Sequence, residues 1–514
     1  MNRDLFQLIK AKVPAADAIN SERAPAYAFS AKHALAQYAA TGCLNATFYA
    51  SAQNQLTHVL RLLDGVSPEF VAKTAVFART KGFMKDLPAL FTAWLTVTAP
   101  ELAETVFSRV IDDAKMLRNF VEILRSGVVG RKSLGSLPKR LVRSWFDGRA
   151  PDAIFRGSVG DKPSLADVIR LAHPKPKGDE RSALFAYLLG RSHDREKLPS
   201  LVRELEDWKV RREGAPPRVP FQLLTALDLD ANAWKTIARN ASWQETRMNL
   251  ATFARHGVFA SKKTTELVAA RLKDPEEVRR ARVFPYQLLM AHAAAGESVP
   301  GSVRQALESA LDVALENVPK IDGKIFVCPD VSGSMCSPVT GHRTGATTAV
   351  RCIDVAGLVA AAMLRKNDAE VLPFEHDVVS LSLSKRDSVL TNARKLASVG
   401  GGGTSCSAPL AKLNASRAKG SLVVLVSDNE SWVDARPQGT ALMAEWTVFA
   451  ARNPGAKLVN IDIVPNRTTQ GAERHDVINV GGFSDSVFEL MSNVVAEKSQ
   501  SHWIDQIERL SVAT

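Results

Sequence analysis

The chain has 514 residues, 46% hydrophobic and 23% charged, which is too long for one ordinary core and too apolar for wholesale disorder; two or more globular domains are expected. Its net charge of +12 is unevenly spread: residues 1–322 carry 47 Lys/Arg against 35 Asp/Glu, while residues 323–514 carry 19 of each, so a polyanionic partner is indicated for the first part only. Cys43, Cys328, Cys336, Cys352 and Cys406 form no CxxC pair, which argues against a zinc ribbon or a disulfide framework and fits free thiols in a reducing cytosol.

The first twenty residues hold no apolar run of signal-peptide length. The longest apolar stretch, 355–364, is far short of the roughly 18–20 residues of a membrane span. A soluble, cytoplasmic protein without a membrane partner is the expectation.

From residue 1 to about 320 the pattern is helix after helix. Leu56, Val59, Leu60 and Leu63 follow the i, i+3, i+4, i+7 spacing, as do Leu117, Phe120, Val121 and Leu124. Breaks at Ser67-Pro68, Gly82 and Ala99-Pro100 divide the helices, and no strong strand pattern interrupts them. Such a run suggests an α-solenoid, although no repeat consensus aligns and a generic helical bundle stays open.

Within this part, residues 114–149 hold nine Lys/Arg and two acids. Ser136 can cap a helix with Pro138 in its first turn. On that helix Lys139, Arg140 and Arg143 share one arc, whereas Leu141, Val142 and Trp145 lie away from it and Phe146 borders it. One face can be buried while the other shows cations, joined by Arg131 and Lys132 just before it. Like charges at this spacing repel by a few tenths of a kcal/mol, roughly, and phosphates would offset that. The alternative to an RNA or DNA face is a solvated basic face. Further on, His173 and Lys175 lie in a Pro-rich segment; a His there can stack on a base or touch a phosphate, or be a plain loop residue. The segments 247–250 and 282–289 read as helix cores.

The character changes near Gly323. Strands are expected at 324–328, 370–374, 378–383, 421–426 and 458–463, with helices at 347–366, 385–396 and 408–418. Alternating strands and helices imply an open, largely parallel α/β sheet, whose ligands bind at the carboxyl ends of the strands. Three segments lie there. Asp330, Ser332 and Ser334 follow the first strand; Asp428 follows the 421–426 strand; Thr404 follows four glycines at 400–403. Two carboxylates and three hydroxyls are hard oxygen donors suited to Mg²⁺, with positions left open for water or a partner's acid. Cys336 and Cys406 flank the site and read as structural, and His342 and His376 as fillers. Phosphoryl transfer by a bound Mg²⁺ is a weaker option, because no P-loop and no further acid–base cluster accompanies the pair.

This five-residue pattern resembles the metal-ion-dependent adhesion site of von Willebrand factor A domains. Taken together, the basic helical part and this domain resemble the Ro autoantigen family of TROVE-module RNA-binding proteins, in a bacterial member. The resemblance rests on blocks in order: 46–49, Gly130-Arg131 with the helix ending in Trp145, 167–176, 247–250, 282–289, 330–335, 401–405 and 427–430. It implies a multidomain chain, with an all-α HEAT-like helical-repeat ring over 1–320 and an α/β Rossmann-like A domain over 321–514. It also implies small structured Y-like RNAs on an outer basic surface, 3′ ends of misfolded or precursor RNAs in a central hole, an exoribonuclease partner, a monomer, and no catalysis. By motif, Arg131, Lys132, Lys139, Arg140, Arg143, His173 and Lys175 become the RNA contacts, and Asp330, Ser332, Ser334, Thr404 and Asp428 the metal ligands. The competing reading is a metal-dependent protein-binding scaffold whose basic face is incidental.

Overall fold

The computed structural model describes residues 13–41, 44, 50–82, 84–160, 162–212, 214–281, 283, 285–318, 320–339, 350–435, 439–464, 466–481, 491 and 503–512. Cys43, the 46–49 block, Arg282 and His342 lie outside the described residues. The chain divides into two compact units that no single cut in the sequence separates. One comprises Met1–Gly65, Val278–Ala294 and Leu307–Arg509; the other comprises Val66–Glu277, Ala295–Ala306 and Leu510–Thr514.

The Val66–Glu277 unit is helical, and its helices pack chiefly on their near neighbours in sequence, as a solenoid requires. The helix Ala114–Arg125 shows why these segments fold so. Asp113 caps it by accepting the Met116 N–H at 2.7 Å, and Met116, Leu117, Phe120, Val121 and Leu124 are all buried on one stripe. Phe120 meets Phe107 of the helix Pro100–Val110 edge-on, with ring centroids 5.3 Å apart. The next long helix, Ser136–Asp147, buries Pro138, Leu141, Val142, Trp145 and Phe146. Its start differs from the sequence expectation. Ser136 is the first helical residue rather than the cap; the capping position falls on Gly135, at φ +51°, which makes no side-chain capping bond.

The other unit is built on strands β1 (Ala18–Ile19), β2 (Pro25–Ala28), β3 (Ile325–Pro329), β4 (Ala369–Val371), β5 (Leu422–Ser427), β6 (Lys457–Asp462), β7 (Thr468–Thr469) and β8 (Val477–Gly481). Five of them form a sheet of order β4-β3-β5-β6-β8, parallel throughout, in register from Ile325↔Leu422 to Pro329↔Val426 and from Leu422↔Lys457 to Ser427↔Asp462. The central pair, β3 and β5, is short, almost wholly apolar and buried throughout, as strands covered on both faces must be. Trp446, Phe449, Leu442, Phe326 and Leu425 form the core on one face; the buried helix Cys352–Lys366 packs against the sheet as well.

Three expectations are corrected here. Residues 378–383 are not a strand: the chain reverses at Glu375–Asp377, where the Glu375 N–H bonds the Asp377 carbonyl at 3.0 Å and the Val379 N–H bonds the Pro373 carbonyl at 2.7 Å. The first helix of this part begins at Cys352, and the next at Val389, where Ser388 caps it. Strand structure does occur early in the chain, because β2 pairs antiparallel with both β1 and β7. Among the described residues no helix is long and apolar enough to cross a membrane.

Candidate functional sites

In the sheet order, the chain passes from β3 to β4 on one side and then returns to β5 on the other. The switch point therefore lies between β3 and β5, where ligands of such sheets bind. Asp330 follows β3 and Asp428 follows β5 at that point. The Asp330 N–H bonds the Val426 carbonyl at 2.9 Å. Its carboxylate accepts from the Ser332 N–H at 2.8 Å and from Ser427 Oγ at 2.6 Å. Ser332 Oγ and Ser334 Oγ are 3.3 Å apart, and Ser334 also bonds Asp428.

The glycine loop before Thr404 is bonded to the segment that follows β3. The Gly401 N–H bonds the Val331 carbonyl at 3.0 Å, and the Gly333 N–H bonds the Gly402 carbonyl at 3.2 Å. Gly402 has φ +74°, which favours glycine, and a Cβ on Gly403 would lie 2.6 Å from the Trp432 ring, so a side chain there would have to displace its neighbours. The Thr404 carbonyl accepts the Trp432 and Val433 N–H groups at 3.1 and 3.2 Å, which ties this loop to the one after Asp428.

The fold thus brings Asp330, Ser332, Ser334 and Asp428 into one buried set, with Thr404 buried on the adjoining loop; Asp330 is 0% and Asp428 2% exposed. Burial raises both carboxyl pKa values above the ordinary range, and Asp428 raises that of Asp330 further. Glu430 is pushed up to about 8 by burial, against hydrogen bonds from Ser21. Among the described residues no Lys or Arg forms an ion pair with Asp330 or Asp428. Two buried carboxylates that no described cation pairs with, set among hydroxyls, suit a divalent ion. Among the described residues no three or more His, Cys, Asp or Glu converge to hold a metal, so the hydroxyls would have to supply the remaining ligands. Cys328, Cys336 and Cys406 are free thiols, and His376 pairs with Glu375 at 3.0 Å.

The basic candidates lie in the helical unit. Lys139 is half-buried; Lys132, Arg140, Arg143, His173 and Lys175 are exposed. His173 caps the helix Leu165–Ala172 in the left-handed region, φ +51° and ψ +55°. Arg143 Nε donates to the Ala172 carbonyl at 2.7 Å, which sets the basic helix beside His173. Arg131 lies against Gly135, and Lys132 against Gly127.

Other contacts were not indicated by the sequence pattern. Arg140 is ion-paired with Glu104, Arg170 with Asp167 at 2.9 Å, and Lys177 with Asp147 at 3.1 Å. Lys139 forms no ion pair with a described residue. His173 and Lys175 also border a groove of about 480 Å³, whose apolar floor includes Ile169, Phe185 and Leu189 and whose edges carry Arg170 and Arg191. Phe185 meets Phe146 of the basic helix edge-on at 5.5 Å, so this floor is continuous with the helix core. The apolar residues of 165–189 follow a helical period, and periodicity alone does not separate a groove floor from a core.

Comparison with known proteins places both regions. Residues 324–495 match the Ro60 vWA domain, and residues 217–309 match the TROVE domain. The chain is 26% identical to "RNA-binding protein RO60" of Deinococcus radiodurans over 507 residues, covering 91% of this chain and 93% of that one. It is 28% identical to "RNA-binding protein RO60" of Caenorhabditis elegans over 213 residues, 39% of this chain and 32% of that one. The crystal structure of the Deinococcus radiodurans RO (RSR) protein superposes with a TM-score of 0.64 at 20% identity, covering 91% of this chain and all of that one, a likeness of fold.

Proposed function

From the premise that this chain belongs to the Ro family, we propose that it is a non-catalytic RNA-binding scaffold. In this reading small structured, Y-like RNAs bind the face formed by Arg131, Lys132, Lys139, Arg140, Arg143, His173 and Lys175. The 3′ ends of misfolded or precursor RNAs are a second ligand class, and an exoribonuclease acts alongside a monomeric, cytoplasmic protein. The observation that carries the reading is the Arg143–Ala172 hydrogen bond, which makes one surface of a cationic helix and a His-Pro-Lys loop far apart in sequence. Phosphates are held by such cations without base selectivity; an exposed His and an apolar groove beside them add contacts to unpaired bases.

For the A domain, the proposal is a Mg²⁺ ion held by Asp330 and Asp428, with Ser332, Ser334 and Thr404 completing its shell directly or through water. The ion would supply charge for binding a partner's carboxylate. This chain's part is to bury and orient the two acids, as the Ser427 and Ser332 bonds to Asp330 do.

Crosslinking followed by RNA sequencing tests the RNA reading. Structured small RNAs crosslinked within 131–175 are the expected result. Recovery of protein partners without nucleic acid would instead favour a metal-dependent protein scaffold.

A further inference from the structure

Asn20 and Ser21 bond the segment that follows Asp428. Asn20 is buried, and its Oδ1 accepts the N–H groups of Glu22 and Ala24 at 3.1 and 2.9 Å, closing a turn. Its Nδ2 donates at 2.6 Å to the carbonyl of Ser431, 411 positions away in the chain. Ser21 grips the residue before Ser431: its N–H donates to Glu430 Oε2 at 2.7 Å, and its Oγ to Oε1 at 3.3 Å. Both oxygens of a carboxylate that is 1% exposed are thereby engaged.

Glu430 and Ser431 connect two proposed metal ligands. The Glu430 N–H points to Asp428 Oδ1 at 3.5 Å, while Ser431 Oγ lies 3.2 Å from the Thr404 carbonyl and accepts the Cys406 N–H at 2.9 Å. The segment carrying Asn20 is itself anchored further along. Tyr27 pairs with Thr469 in the small sheet, and Gln37 Nε2 donates to Asp462 Oδ2 at 2.5 Å at the end of β6.

We propose that Asn20 and Ser21 are positioning residues of the metal site, so that docking of the 18–28 strap and metal binding strengthen one another. The proposal rests on the metal reading of Asp330 and Asp428. Its physical content is linkage: if the strap fixes the loop that carries Asp428 and faces Thr404, the ion must in turn hold the strap. A strap of purely structural value would stabilise the fold and leave metal affinity unchanged.

The test uses the full chain and Mg²⁺ alone, followed by calorimetry and by hydrogen exchange of residues 18–28. Asn20→Ser keeps an oxygen for the turn but is too short to reach the Ser431 carbonyl. Tyr27→Phe is the control, since it removes the 2.8 Å bond from Tyr27 Oη to the carbonyl of Pro14, ahead of the strap, keeps the backbone pairing of Tyr27 with Thr469, and touches neither Glu430 nor Ser431. Asn20→Ser should weaken Mg²⁺ binding by at least about fivefold, and Tyr27→Phe should not. Mg²⁺ should slow exchange across 18–28 in the wild type and not in Asp330→Ala. That exchange measurement needs no strap variant, so it decides even if Asn20→Ser folds poorly. Wild-type Mg²⁺ affinity in Asn20→Ser, or exchange indifferent to Mg²⁺ in a wild type that binds it, overturns the proposal. A wild type that binds no Mg²⁺ overturns the metal reading itself.

Discussion

Arg143 Nε donates a 2.7 Å hydrogen bond to the carbonyl of Ala172, the residue immediately before His173. The guanidinium is thus partly spent on holding two elements together. Arg143→Ala should weaken stem-loop RNA binding in two ways, by losing a charge and by freeing the His173 loop. Arg143→Lys keeps the charge but not the planar fork, and should recover only part of the affinity. Full recovery in a gel shift would reduce Arg143 to a simple charge.

His173 holds a left-handed conformation that costs a non-glycine residue about 1 kcal/mol. His173→Gly should therefore leave thermal stability unchanged or raise it by up to about 1 kcal/mol, while weakening stem-loop RNA more than a generic single-stranded 3′ tail. Equal losses for the two RNAs would argue against separate sites.

Arg140 is ion-paired at the surface with Glu104. A carboxylate on a phosphate-binding face competes with the ligand. Glu104→Gln should tighten RNA binding and steepen the dependence of log affinity on log salt by roughly one unit or less. Weaker binding in this variant would mean that Glu104 holds Arg140 in its working position.

The buried acids set a pH dependence. Burial and Asp428 raise the Asp330 pKa above its unfolded value, so the folded protein keeps a proton that the unfolded chain has lost. The associated stability is fully present below the ordinary carboxylate range and is lost as pH rises through the raised value. Metal-free protein should therefore melt lower as pH rises from the acid side through that value, and Asp330→Asn should flatten the trend. Mg²⁺ must displace that proton, so its affinity should climb over the same range. Melting curves and calorimetry at several pH values check both; a metal affinity independent of pH would contradict the paired-acid site.

Asp330→Ala should abolish Mg²⁺ binding and leave RNA binding largely intact, since the positive excess lies wholly in residues 1–322. Calorimetry and gel shift on the same preparation decide this. Loss of RNA binding in a folded Asp330→Ala protein would refute the division of labour.

The sheet and its ligand loops were legible because buried parallel strands read as short apolar runs and their carboxyl ends are followed at once by Asp330 and Asp428. The apolar face of the basic helix was legible from its period, including the burial of Trp145. Long-range pairing was not. Nothing near Arg140 in sequence announces Glu104, and nothing in 18–28 announces Glu430 and Ser431, because such contacts depend on how distant segments dock. Residues 378–383 alternate like a strand, yet the reversal at Glu375–Asp377 takes them out of the sheet.

The most direct test of the central claim is a salt titration of stem-loop RNA binding by the wild type and by Lys139→Ala with Arg140→Ala. The folded double variant should bind more weakly. The slope of log affinity against log salt should flatten by roughly one unit or less for each phosphate that the variant no longer neutralises. An unchanged affinity and slope would contradict it.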